Sequence, residues 1–231
     1  MWRVPLDVTD AASIDAAFSA IDERLGGAGL DGLVDNAGIG VAGPLEVLPI
    51  ERLRATFETN VIGQVAVTQA ALPLLRRARD GARIVLVGSI GGRLAAQFGG
   101  AYHASKFALE AIADVWRQEL EPDAIAVALV EPAAVATPIW DKAIAGIDDL
   151  LARDVPGIDR YRERLAAFRD SLRSADEHGM QPAKVAEIVA QALLEDKPDT
   201  RHVVGGAGRI ATALRPLIPD RLADRLAERT A

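Results

Sequence analysis

The chain has 231 residues, half of them apolar, and a formal net charge of −7. That length supports one sizeable core, and no composition shift marks a second domain. The acidic balance argues against nucleic acid and anionic membrane as partners, and the absence of cysteine excludes disulfides, thiolate catalysis and Cys-ligated metal, so no metal site is expected.

Short apolar pulses alternate with stretches of helical period, the pattern of a parallel sheet covered by helices. The first pulse, Val4–Leu6, reads as a strand. Asp7–Asp10 follows, with Thr9 or Asp10 placed to cap a helix whose face is Ile14, Phe18, Ile21 and Leu25 and which Gly26-Gly27 stops. Leu30–Val34 is the next expected strand, and Asp35-Asn36-Ala37-Gly38 the turn at its carboxyl end, where ligands of doubly wound sheets bind. A long helix is expected from about Ile50 to Leu72. Asn60 lies in its apolar neighbourhood, although asparagine inside a helix more often faces solvent. Arg83–Gly88 reads as a buried strand ending at Ser89, and a serine there commonly just makes a turn. The helix after Gly99 runs to about Leu120, and Ala124–Val130 is a strong strand. Ile139 to about Gly179 mixes two helical stretches, with Pro156-Gly157 between them. A helix from Pro182, a last strand Arg201–Gly205 and a basic amphipathic tail, Arg209–Arg229, complete the chain. The tail is expected to pack on the body or on another subunit. No charged leader with an apolar core opens the sequence, and Glu131, Pro132 and Pro138 interrupt the apolar run Ile125–Trp140, so a cytoplasmic protein is expected.

Chemistry centres on Tyr102 and Lys106. Four residues apart, they share a helical face. An ammonium beside a phenol favours the phenolate and is expected to lower its pKa, which suits a proton donor to a carbonyl or an acceptor from an alcohol. On its own the pair could be an exposed Tyr/Lys ladder. With Ser89 thirteen residues earlier at a strand end, it resembles the active site of the short-chain dehydrogenases/reductases.

That resemblance implies an NAD- or NADP-dependent oxidoreductase that interconverts a carbonyl and a secondary alcohol. Tyr102 would be the acid/base and Lys106 would lower its pKa and touch the nicotinamide ribose. Ser89 would orient the substrate oxygen, and Asn60, in Thr59-Asn60-Val-Ile-Gly63, would kink its helix and hold a relay water. Cofactor contacts would come from Asp7 and Val8 at the adenine end, from Asn36, Ala37 and Gly38, from Tyr102 and Lys106, and from Pro132, Val135 and Thr137 at the nicotinamide. For Asp7 and Val8, capping and turn formation alone is an equal reading. Two departures from the family pattern stand out. Asp35 replaces an asparagine, which takes away amide donors and should loosen the strand ties. Ala133 replaces a glycine, which would strain the backbone if φ were positive. His103 points away from Tyr102 along the helix and is given no role.

The resemblance begins at Val4. The family's opening strand, Gly-rich turn, helix and second strand have no counterpart in these residues, so the expected fold is an α/β, Rossmann-like doubly wound parallel sheet, N-terminally truncated by its first two strands. Gly206-Ala-Gly208-Arg-Ile-Ala211 mimics the dinucleotide fingerprint but lacks a following strand and acidic residue. One domain spanning 1–231 is expected, with 139–180 as a lid over a small carbonyl or alcohol substrate of apolar character. A homo-oligomer paired through the helices bearing Asn60 and Tyr102 is also implied. The alternatives are a non-catalytic remnant of the family acting as a scaffold or oligomerisation partner, and a hydrolase built on Ser89, which lacks a base partner.

Overall fold

The computed structural model describes residues 2–230, with the side chains of 175–176 and 226–230 set aside. Helix α1 (Ala11–Leu25) starts at Asp10, whose carboxylate accepts from the Ala12 N–H at 3.0 Å, and ends at Gly26 in the left-handed conformation. The expected strand at Val4–Leu6 does not form, because no strand among the described residues lies beside it to complete a ladder. Strand β1 (Gly32–Asp35) leads through the 36–40 loop to α2 (Ile50–Phe57), a π-helical turn (Glu58–Ile62) and α3 (Gly63–Leu75). A helix from about Ile50 to Leu72, kinked at Asn60 as the resemblance implies, was the expectation. The π turn breaks it where Asn60 is turned inward, fully buried, to bond the neighbouring loop.

Strand β2 (Ala82–Val87) runs into a short 3₁₀ turn, Ile90–Gly92, and then α4 (Gly100–Leu120). Strand β3 (Ile125–Pro132) precedes α5 (Ile139–Ala152), α6 (Arg162–His178) and α7 (Pro182–Leu194). Strand β4 (Arg201–Val204), α8 (Gly206–Leu214) and α9 (Asp220–Thr230) follow. The four strands are all parallel in the order β1-β2-β3-β4, with Leu33 opposite Ile84, Val85 opposite Ala128 and Leu129 opposite Arg201.

Central strands covered on both faces must be apolar throughout, and β2 and β3 are. Ile84, Leu86, Val127 and Leu129 pack against Phe18 of α1, Leu75 of α3 and Leu109 of α4. Val85, Ala128 and Val130 face the other way, onto Val185 and Val189 of α7. A third cluster, including Phe98, Ile147, Leu150, Leu165 and Leu172, joins α5 and α6 to the body. The fingerprint-like glycines form the first turn of α8 instead of a phosphate loop, and Gly208 and Thr212 pack inward. No helix among the described residues is long and apolar enough to cross a membrane. Because the strands are parallel, their carboxyl ends open on one side, and the loops after β1, β2 and β3 converge there.

Candidate active site

Tyr102 and Lys106 sit one turn apart near the start of α4, with the lysine nitrogen 5.8 Å from the centre of the tyrosine ring. Lys106 is only 5% exposed, and its ammonium donates to the Val87 carbonyl at the end of β2, at 2.9 Å. Ser89 follows β2 in extended backbone and caps the 3₁₀ turn, its Oγ accepting from the Gly91 N–H at 3.0 Å. All three side chains line one cavity of about 960 Å³.

The electrostatics run against the expectation for the phenol. Burial raises the Tyr102 pKa above its ordinary value, and the neighbouring Ser89 hydroxyl pulls it only part of the way back. Lys106 is itself desolvated, and burial brings its pKa down to about 8. The upward shift of the phenol comes from its burial, while Lys106, buried as well, gives one of its N–H groups to the Val87 carbonyl.

Asn36 and Gly38 line the same cavity, as do Pro132, Val135 and Thr137 from the loop after β3. Ala37 turns its carbonyl to the Gln64 amide at 2.8 Å. Asn60 stands behind the loop. Its side chain clamps the Ile39 backbone in both directions, accepting from the N–H at 2.8 Å and donating to the carbonyl at 3.0 Å, and it also donates to Ser105 Oγ. Gly38 lies where a Cβ would stand 3.5 Å from Asn60 Oδ1 and 3.8 Å from Lys106 Nζ, so the backbone keeps that corner of the cavity open. Asp7 and Val8 are not brought into this group. Asp7 accepts from the Thr9 N–H and hydroxyl, which hold its carboxyl below the usual range, and the Val8 carbonyl packs under Gly63.

Of the two departures, Asp35 differs from expectation and Ala133 does not. Asp35 keeps its place in the ladder opposite Leu86, with its buried carboxylate accepting from the Thr68 hydroxyl at 2.7 Å and its pKa raised by burial to about 7. Ala133 is not among the residues with positive φ, so no strain arises there. Trp140 lines the cavity and donates to the Val135 carbonyl at 2.6 Å, and sequence reasoning missed His103, which also lines the cavity and contacts the Gly91 carbonyl at 3.0 Å. His103 was legible only as the residue after Tyr102. Its turn toward the Ser89 loop depends on how α4 docks.

A family model described as short chain dehydrogenase matches residues 1–147. The chain belongs to the short-chain dehydrogenase family. It is 33% identical to an NADPH-dependent 3-dehydrocapnine reductase of Ornithobacterium rhinotracheale, over 95% of this chain and 77% of that one. It is 35% identical to human 17-beta-hydroxysteroid dehydrogenase type 1, over 85% of this chain and 58% of that one. A short-chain dehydrogenase/reductase of Burkholderia phymatum solved in complex with NAD superposes with a TM-score of 0.76 at 26% identity, covering 93% of this chain and 74% of that one. The family is one of NAD(P)-dependent dehydrogenases and reductases, and the parallel Rossmann-like sheet described above is its architecture.

Proposed function

We propose that this chain reduces the carbonyl group of a small apolar substrate to a secondary alcohol, with NADH or NADPH as the hydride source. The observation that carries the reading is the meeting of the Tyr102 phenol and the Ser89 hydroxyl in one largely apolar cavity, with the phenol held in its protonated form. A phenol that keeps its proton is set up to donate it, so reduction is the direction it favours.

When bound, the nicotinamide would supply hydride from its C4 to the carbonyl carbon. Asn36, Ala37 and Gly38, together with Pro132, Val135 and Thr137, would hold that end of the cofactor, and Asp7 and Val8 would contact the adenine end. The open corner at Gly38, between Asn60 and Lys106, supports this fit for the nicotinamide and its ribose. Ser89 would donate to the substrate oxygen and fix it beside Tyr102. As negative charge develops on that oxygen, the Tyr102 proton passes to it, and the Lys106 ammonium compensates the phenolate left behind. Asn60 would hold the loop and a relay water that returns the proton.

The lining of Ile139, Trp140, Ala143, Phe168 and Leu172 supports an apolar substrate and supports reading 139–180 as a lid that shuts water out. Among the described residues β1 pairs with β2 alone and Val34 is 37% exposed, which supports reading the outer side of β1 as the place of the family's Gly-rich βαβ strands. Exposed Ile62, Phe107 and Val115 near the π turn and on α4 support assembly into a homo-oligomer, and the acidic, cysteine-free composition supports a cytoplasmic setting. The test is titration of the purified chain with NADH and NADPH, followed by reduction of a panel of apolar ketones. Binding at micromolar concentration and turnover that Tyr102→Phe abolishes are expected. Failure to bind either cofactor would overturn the proposal.

A further inference from the structure

Reduction requires the Ser89 hydroxyl and the Tyr102 phenol to sit at a fixed spacing, yet they belong to different elements. Ser89 rides on the turn after β2 and Tyr102 on α4. The Gly91 peptide joins them. Its N–H donates to Ser89 Oγ at 3.0 Å, and its carbonyl meets Nδ1 of His103 at 3.0 Å, the residue next to Tyr102 on the helix. A carbonyl can only accept, so Nδ1 carries the proton, and burial lowers the imidazole pKa and keeps the ring neutral. The packing leaves no slack. A Cβ on Gly91 would stand 2.8 Å from His103 Nδ1 and 3.2 Å from Ser89 Oγ, and the ring lies directly against Gly99.

We infer that His103 is a positioning residue that staples the Gly91 turn to α4 and thereby aims the Ser89 hydroxyl. Ser89 Oγ accepts from Gly91, and its own proton reaches only a long contact with the Pro132 carbonyl at 3.5 Å, from which it can turn to the substrate oxygen. Displacing the turn would misdirect that proton without touching Tyr102. The inference rests on the oxidoreductase reading for its kinetic consequence but not for the geometry.

The experiment compares His103→Asn, whose amide nitrogen reaches about where Nδ1 does, with His103→Leu and His103→Gln, whose groups do not. Amide hydrogen exchange of Gly91–Leu94 is read first. It is expected to speed up by about tenfold in the Leu and Gln variants and to stay near wild type in the Asn variant. Ketone reduction should follow the same order, with kcat down about tenfold and KM little changed. In a Ser89→Ala background, His103→Gln should cost no more than about twofold further, since the group it aims is gone. Unchanged exchange, an Asn variant as impaired as Gln, or fully additive losses would each overturn the inference. A wild-type chain that reduces no ketone sinks the oxidoreductase reading instead, and the exchange comparison then decides the staple alone.

Discussion

Lys106 shows what a single buried cation does to stability. Its folded pKa, about 8, lies below the ordinary 10.5. The stability it contributes is therefore present above about pH 10.5 and is lost as the pH falls through 8. At pH 7 the chain keeps a desolvated ammonium for the sake of the site. Lys106→Met should consequently be more stable than wild type at pH 7, by up to about 3 kcal/mol at roughly 1.4 kcal/mol per pKa unit, while losing ketone reduction. Denaturant melts at pH 7 and pH 10 check this. The gap should close at the higher pH, and a gap independent of pH would contradict the argument. Asp35 is the acidic counterpart. Its folded pKa of about 7 exceeds the ordinary 3.8, so its contribution is full below about pH 4 and fades as the pH rises through 7.

Among the elements, α5 and α6 are tied to the body through a few identifiable side chains. Arg52 of α2 donates to the Gly146 carbonyl at 2.9 Å and pairs with Asp149 at 2.5 Å. Glu46 accepts from the Tyr161 hydroxyl at 2.5 Å and from Arg160 at 3.1 Å. Phe98 packs edge-on to Tyr161 and tilted against Phe168, in a left-handed conformation (φ 64°) that a phenylalanine seldom adopts. Partly exposed pairs of this kind contribute about 0–1 kcal/mol each, too little to hold the fold but comparable to the free energy of opening a lid. Replacing Arg52 by Met and Glu46 by Gln together should therefore speed amide exchange across 139–178 and raise KM for an apolar ketone severalfold, with the global melt almost unmoved. High salt should mimic the effect in the parent chain. Exchange unchanged by both treatments would mean that the apolar cluster of Ile147, Leu150 and Leu165 holds α5 and α6 by itself.

At the scale of the molecule, one ionic network crosses the far side of the site. Arg201 of β4 pairs with Glu110 and Asp114 of α4 and lies 3.5 Å from the fully buried Glu131 of β3, which Arg93 approaches from the turn after Ser89. Three elements that carry site residues, α4, β3 and the turn after β2, thus share one set of charges with β4, and burial raises the pKa of both Glu110 and Glu131. Outside that network, α4 carries Phe107 and Val115 nearly half exposed, with Ile62 beside the π turn equally open. Apolar side chains on the helices that frame the site argue for a second copy covering them. Sedimentation of the purified chain should give a dimer or larger assembly, and Val115→Asp should shift it toward monomer while leaving the circular dichroism unchanged. A monomer at all accessible concentrations would remove the oligomer from the proposal.

Local patterning was enough to locate β2, β3, α1 and α4, because buried parallel strands and amphipathic helices leave unbroken or periodic apolar runs. Patterning alone did not single out Ser89, Tyr102 and Lys106; their resemblance to the family's active site did, and the fold brings all three to one cavity. Sequence could not decide the strand at Val4–Leu6, because a strand exists only with a neighbour to bond and its neighbours are not local. A kink at Asn60 was implied by the resemblance alone, and its form as a π turn goes with the clamp on the Ile39 backbone across the fold. The protonation of Tyr102 went the other way from the sequence argument, because a pKa follows from burial as well as from neighbouring charge, and burial is a property of the assembled core. The partner of His103 belongs to the same class. Adjacent residues on a helix diverge, and only the docking of α4 against the turn after β2 determines what each of them meets.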